Sequence, residues 1–304
     1  MLTLFSCPKP FTNPHNRQIQ RNAIGSWLQL KPRPEILLLG DEEGTAQVAL
    51  EFGVRHIPEL ARNDYGTPLV SSIFKQAEKA ASHHLLCYVN ADIILLNDFM
   101  EAVNRVARRM CRFLMAGQRW DLDITEPLDF SCLYWERDLR QMVAERGILH
   151  DAAGIDYFLF PCDFWGEILP FALGRSAWDN WLIYRARARG AAVIDATHAI
   201  TAVHQNHDYA HIPGGEALVW TGPEAIQNME LAEKGIFTLL DANWLLTPHG
   251  FVRARTARHL RRALNSLPVL HSGWSVPFKL IRKPLSIAKR ISAALIKLAW
   301  LRVR

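Results

Sequence analysis

The chain of 304 residues has only five cysteines, Cys7, Cys87, Cys111, Cys132 and Cys162, and no two form a CxxC pair. This scatter excludes a zinc ribbon and a disulfide framework, and it suits a reducing cytoplasm. No run of about 18 uninterrupted apolar residues occurs, so no transmembrane helix is expected. The stretch Met1–Pro10 lacks a basic segment followed by a long apolar one. It reads as a first strand, not a secretory signal. A Walker loop, a GxGxxG fingerprint, an HExxH helix and a GxSxG elbow are all missing, which removes the common signatures of several large enzyme classes. Internal repeats and low-complexity tracts are missing too.

Acid is also missing from the end of the chain. The last acidic residue is Asp241, and thirteen Lys and Arg follow it. The first 241 residues therefore carry 22 basic against 30 acidic side chains, a net of −8, while the last 63 carry +13. The overall charge of +5 hides this asymmetry. Within the tail, Ile287, Ile291, Leu295 and Leu298 share one helical face, with Lys289, Arg290, Lys297 and Arg302 elsewhere around it. A basic amphipathic helix of this kind suits an anionic membrane surface. Its apolar face favours lipid over nucleic acid, and packing on the acidic body is the alternative.

What is present is an alternation of strands and helices. About half of the residues are hydrophobic, enough for a substantial core. Strand patterns occur at Leu2–Phe5, Glu35–Gly40, Val54–Ile57 and Leu85–Val89, with helical periodicity at Asn16–Leu28, Ala46–Phe52 and Val70–Ala81 between them. Such alternation predicts a parallel sheet. The second half is less regular. It has helices at Phe99–Arg109, Leu133–Arg146, Asp179–Arg189 and Pro223–Lys234, and strands at Arg112–Ala116, Ile155–Pro161, Ala192–Asp195 and Ala199–His204. The expected architecture is one α/β domain over 1–250, a mostly parallel Rossmann-like sheet flanked by helices, followed by a basic helical extension over 251–304.

The chemistry concentrates where the strands end. Leu85–Val89 stops abruptly at Asn90-Ala91-Asp92, and ligands in open α/β sheets sit outside the carboxyl ends of the strands. Two residues apart, Asn90 and Asp92 point the same way. Asn90 suits a ribose and Asp92 a divalent cation that neutralises a diphosphate. The same residues also suit a plain strand-to-helix turn. Asp41 ends the second strand, placed for a nucleotide base or ribose, or equally for the dipole of the next helix. Asp179 stands between Trp178 and Trp181. A carboxylate flanked by aromatic faces suits a general base beside a sugar ring, and it also suits a helix N-terminus with two core tryptophans. His198, His204, His207 and His211 cluster; His204, just after a strand, is the best placed to complete a metal site with Asp92, the others reading as loop residues. Asp156, Asp163, Arg119 and Asp121 lie in segments that can line an acceptor pocket.

Taken together, the Leu2–Phe5 strand, the Ile36–Leu39 strand ending in Asp41, the Arg62-Asn63 loop and Val89-Asn90-Ala91-Asp92 resemble the nucleotide-binding half of GT-A-fold glycosyltransferases, most of all the family 2 type and its bacterial relatives. The resemblance covers roughly residues 1–215. It implies donor nucleotide contacts at Asp41, Arg62 and Asn90, and a Mn²⁺ or Mg²⁺ ion on Asp92 and His204. It also implies a base at Asp179 and acceptor contacts at Asp156, Trp178 and Trp181. Two positions depart from the family pattern: Asn90 replaces the first acid of the DxD motif, and Trp178 replaces the acid of a Glu-Asp pair. The implied activity is transfer of a sugar from a nucleoside-diphosphate sugar to a hydroxyl of a glycan or lipid-linked acceptor of the cell envelope. The enzyme would be cytoplasmic and peripheral at the inner face of the membrane. Nucleic acid is not an expected partner. A sugar-phosphate nucleotidyltransferase and a non-catalytic, membrane-associated sugar-nucleotide-binding protein are the alternatives. The first wants a Gly-rich basic loop where this chain has Ser6-Cys7-Pro8-Lys9-Pro10.

Overall fold

Alternating apolar residues in the strands feed two cores, one on each face of a sheet. The computed structural model describes residues 1–207 and 216–270. Its elements are β1 (Leu2–Ser6), α1 (Pro14–Gln29), β2 (Glu35–Leu39), α2 (Thr45–Phe52), β3 (Arg55–Ile57), α3 (Val70–Ala80), β4 (Leu85–Val89), β5 (Ile93–Leu95) and α4 (Asn97–Ala107). There follow β6 (Phe113–Ala116), β7 (Trp120–Leu122), α5 (Trp135–Arg146), β8 (Ile148–Leu149), β9 (Tyr157–Pro161), α6 (Trp178–Ala188), β10 (Ala192–Asp195) and β11 (Ala202–Gln205). The last are α7 (Glu216–Thr221), α8 (Pro223–Ala232), a 3₁₀ turn (Leu239–Asp241), β12 (Trp244–Thr247), β13 (Gly250–Arg253) and α9 (Ala257–Leu270).

The large sheet has nine strands in the order β13-β12-β10-β6-β9-β4-β1-β2-β3. Most of its pairs are parallel. β9 runs antiparallel between β4 and β6, and β13 antiparallel at the edge. The direction of β9 is not readable from its residues, because Tyr157–Pro161 is buried throughout and a doubly covered strand carries no directional pattern. Its consequence is functional: the start of β9 lies at the same sheet edge as the carboxyl ends of β1, β2 and β4, which brings Asp156 there. A second, four-stranded sheet, β5-β11-β7-β8, stands beside this edge. Ile93–Leu95, the apolar run that follows Asp92, pairs antiparallel with β11.

Successive side chains of a strand point to opposite faces. Phe5, Tyr88, Phe158 and Phe160 go to one face, with Phe74, Trp165 and Trp178. Leu4, Cys87, Val89, Tyr157 and Leu159 go to the other, against Ile24 and Trp27 of α1 and Phe99 of α4. α1 starts where Asn13 accepts hydrogen bonds from the backbone of His15 and Asn16, with Pro14 in the first turn. Its buried stripe is Ile19, Ala23 and Trp27, the helical spacing visible in the sequence. β13 and α9 fall in the stretch expected to form the basic extension, and both pack on the body. Arg262 of α9 donates to Asp241 Oδ2 at 2.7 Å and to the Ile236 carbonyl at 2.8 Å. The amphipathic stretch 286–304 lies outside the described residues, as does His211. No helix among the described residues is long and apolar enough to cross a membrane.

Candidate active site

Asp92 leaves β4 by the Asn90-Ala91-Asp92 turn and is held from behind by a buried glutamine. The backbone N–H and the side-chain amide of Gln205 both donate to the Asp92 carbonyl, at 3.3 and 3.1 Å. Gln205 is fully buried and is itself fixed by Asn22 of α1 at 2.9 Å. This hook draws the end of β11 onto the turn after β4. It therefore places both His204 and His207 beside the Asp92 carboxylate. His207 Nε2 lies 3.1 Å from Asp92 Oδ2, and His204 Nε2 lies 3.9 Å from the same oxygen. One ligand atom from each of the three residues falls within 4.8 Å of the others. Asp92 Oδ1 is buried with no hydrogen-bond partner. Burial opposes the charge on Asp92, but His207, His204 and Lys9 outweigh it and hold the carboxyl far below the usual range. A carboxylate and two imidazoles with a spare oxygen make a donor set fit for a divalent transition ion.

His204 is oriented by its neighbour on β7. The two strands pair with His204 opposite Asp121, so their side chains share a face. His204 Nδ1 lies 3.1 Å from Asp121 Oδ1, leaving Nε2 turned to Asp92. Asp121 Oδ2 also meets His150 Nδ1 at 2.7 Å, and Arg119 Nε donates to Oδ1 at 2.9 Å. Arg119 then reaches Asp156 Oδ2 at 2.7 Å. Asp156 Oδ1 accepts from Asn90 Nδ2 at 2.6 Å, and Asn90 Oδ1 accepts from the Tyr88 hydroxyl at 2.8 Å. Asn90, Asp156, Arg119, Asp121 and His150 thus form one hydrogen-bonded network along the strand ends, with His204 set between it and Asp92.

Asp179 occupies the first turn of α6, reached through Ala177 at φ +83°, a conformation rare for a residue with a Cβ. Its Oδ1 accepts from the Asn180 backbone at 2.8 Å. Burial, reinforced by the charge of Asp156, pushes its carboxyl up to about 7. Trp178 and Trp181 are each 5% exposed. Trp178 packs edge-on to Tyr88 at 5.3 Å, and Trp181 lies 5.3 Å from Phe171. Little of either ring is left to a ligand.

At the end of β2, Arg62 grips Asp41 and Glu42 together, with 2.8 Å to Glu42 Oε1. Glu42 Oε2 is buried without a partner, whereas the Asp41 side chain is largely exposed. The 61–68 loop that carries Arg62 is tied down by Glu224 of α8, which accepts from Asn63 at 2.7 Å and from Arg175 at 2.6 and 2.9 Å. A cavity of about 720 Å³ opens beside Asp41, lined by Leu60, Ser72, Lys75 and Gln76 among others; it includes none of Asp92, His204 or Asp179.

Asp41 and Arg62 therefore lie together, and so do Asn90 and Asp156, and Asp92 and His204. His207 joins the last pair, a position the sequence marked only as one histidine of a loop cluster. Asp121 and His150 as the support of His204 had no sequence signal, since 29 residues separate them.

No family model matches the chain, and no curated protein matches it. Solved structures similar to it include glucosyl-3-phosphoglycerate synthase from Mycobacterium tuberculosis with Mn²⁺, uridine-diphosphate and glucosyl-3-phosphoglycerate, at 16% identity over 78% of this chain and 80% of that one, with a TM-score of 0.47. Another is the mannosyltransferase PcManGT from Pyrobaculum calidifontis with GDP-Man and Mn²⁺, at 12% identity over 76% and 74% of the two chains, TM-score 0.44. A third is the 1–349 piece of S. aureus TarS, at 9% identity and TM-score 0.41; the match takes 67% of this chain but spans only 57% of that piece.

Proposed function

We propose that this protein is a metal-dependent GT-A-type glycosyltransferase that moves a sugar from a nucleoside-diphosphate donor to a hydroxyl acceptor. The observation that carries this reading is the convergence of Asp92, His204 and His207 at the carboxyl edge of a mostly parallel sheet, where ligands of such sheets bind. Asp92, His204 and His207 would hold the cation, and a mixed carboxylate–imidazole set suits Mn²⁺ better than Mg²⁺. When bound, the ion supplies charge neutralisation for the departing diphosphate. Asp41 and Arg62 face the nucleoside end of the donor, with Asn90 at the ribose. Asp179 takes the proton of the acceptor hydroxyl, a role that a carboxyl near 7 fits at neutral pH. Asp156 lies between Asn90 and Arg119, and holds the acceptor side against the donor side.

The acceptor belongs to a class presented at a membrane, a glycan or lipid-linked glycan of the envelope. What supports this is the +13 charge of the last 63 residues and the amphipathic pattern of 286–304. The body, with β13 and α9 packed on it, would then work from the cytoplasmic face, and the amphipathic sequence 286–304 would meet the membrane.

The test is thermal stability against a panel of nucleoside diphosphates and sugar nucleotides, with and without Mn²⁺, since native-state ligands raise the midpoint by mass action. A Mn²⁺-dependent shift with one diphosphate, lost in Asp92→Asn, supports the reading. A panel with no metal-dependent shift overturns it. Release of free sugar from the matching donor separates an enzyme from a binding protein.

A further inference from the structure

We propose that Lys9 is a built-in cation of this site: its ammonium stands against His207 of the metal group and passes to the donor's diphosphate when that ligand binds. The inference rests on the reading above and goes beyond it by naming a residue and a sign.

The segment after β1 brings Lys9 to the metal group. Its Nζ lies 3.4 Å from His207 Nε2, which lies 3.1 Å from Asp92 Oδ2. This approach is built, not incidental. The Lys9 backbone N–H donates to Gln20 Oε1 at 2.6 Å, and its carbonyl accepts from Gln20 Nε2 at 3.0 Å. Gln20 is 1% exposed, so a buried amide of α1 clamps both polar groups of this one residue. A buried amide that both accepts from and donates to one residue's backbone fixes the position of that residue. Pro8 and Pro10 flank Lys9 and restrict the backbone further. The flexible part of the lysine is then only its side chain, which swings from a fixed root.

A fixed positive charge next to a cation site has two opposite effects. It repels a divalent ion that binds alone, because two positive charges are then brought within a few ångströms of each other. It favours a diphosphate that arrives with the ion, because a multiply charged anion needs more positive charge than one divalent ion supplies. Lys9 therefore makes the protein hold the metal weakly when empty and tightly when the donor is present. A residue with only a structural role moves both affinities the same way.

The experiment compares wild type, Lys9→Gln and Lys9→Arg in the full chain. Mn²⁺ alone is titrated by the paramagnetic resonance signal of the free ion. The nucleoside diphosphate that shifts the wild type most is titrated calorimetrically at saturating Mn²⁺. Lys9→Gln should bind Mn²⁺ alone more tightly, by up to about ten-fold, and the diphosphate about ten-fold more weakly, the size of one charge interaction of about 1.4 kcal/mol; unchanged Mn²⁺ affinity overturns the proposed repulsion. Lys9→Arg should recover most of the diphosphate affinity. Circular dichroism melting of each variant without ligands excludes simple unfolding. Equal diphosphate affinity in wild type and Lys9→Gln overturns the proposal while leaving the transferase reading intact. Loss of both affinities in Lys9→Gln also overturns it, because the residue is then structural. A wild type that binds no diphosphate with Mn²⁺ overturns the transferase reading and this proposal with it.

Discussion

Replacing Asp179 by Asn should stabilise the protein wherever the wild-type carboxylate is charged. Burial, with the nearby charge of Asp156, raises the Asp179 carboxyl from 3.8 to about 7, against the Asn180 hydrogen bond and Arg119. The unfolded chain thus releases this proton near 3.8, while the fold keeps it to about 7. Between those values the native state binds more protons, so stability falls as pH rises and levels off above about 7. Each pKa unit is worth about 1.4 kcal/mol, so charging Asp179 in the fold costs about 4 kcal/mol at full extent. Asn keeps the oxygen that accepts from Asn180 at 2.8 Å and cannot ionise. Urea unfolding of wild type and Asp179→Asn at pH 5, 6, 7 and 8 measures this directly. The gain at pH 8 should exceed that at pH 5 by about 2 to 3 kcal/mol, the difference left once the proton bound at pH 5 is counted. Turnover should collapse in the same variant with donor affinity retained, the pattern of a group that acts on the acceptor. A gain that is flat with pH, or an Asp179→Asn protein weaker at pH 8, would show that the carboxylate is not held out of water as described.

Other outcomes follow from the same geometry. Gly117→Ala would set a Cβ 2.2 Å from the Tyr157 hydroxyl and 3.1 Å from the Thr197 nitrogen, so it should destabilise by about 1 to 3 kcal/mol in urea unfolding, and Tyr157→Phe in that background should restore much of the loss. Glu224→Ala removes the shared carboxylate partner of the partly buried Arg175 and Asn63 side chains, so it should cost about 1 to 3 kcal/mol of stability. It should also speed proteolysis within 61–68, read by mass spectrometry of timed digests. His207→Gln should weaken Mn²⁺ binding by at least ten-fold while the fold's melting point moves little, since each lost ligand removes about 1.4 kcal/mol or more; unchanged Mn²⁺ affinity would remove His207 from the ligand set.

The first half of the fold was legible because its information is local. Leu85–Val89 is a strand at the bounds its apolar run indicates, and Asp92 stands at the strand end where the edge rule puts it. The histidines were legible as a cluster but not as a geometry. His204 follows from β11, but His207 reaches Asp92 only because Gln205 hooks the Asp92 carbonyl, and Gln205 reads in sequence as one more polar residue. The small sheet was hidden for a related reason. Trp120–Leu122 and Ile148–Leu149 are too short to carry a period, so the pairing that sets Asp121 against His204 is decided by tertiary contacts. Trp178 and Trp181 show the reverse case. Three residues apart on a helix, they share a face by spacing alone, and the face they share is the core. Asp179, one position on, is turned about 100° away from that face, and its carboxyl is set by its own burial and by the charge of Asp156. Aromatic flanks in sequence therefore speak first to the core that α6 packs into, while the chemistry open to the carboxyl comes from a residue far away in the chain, Asp156, and from burial.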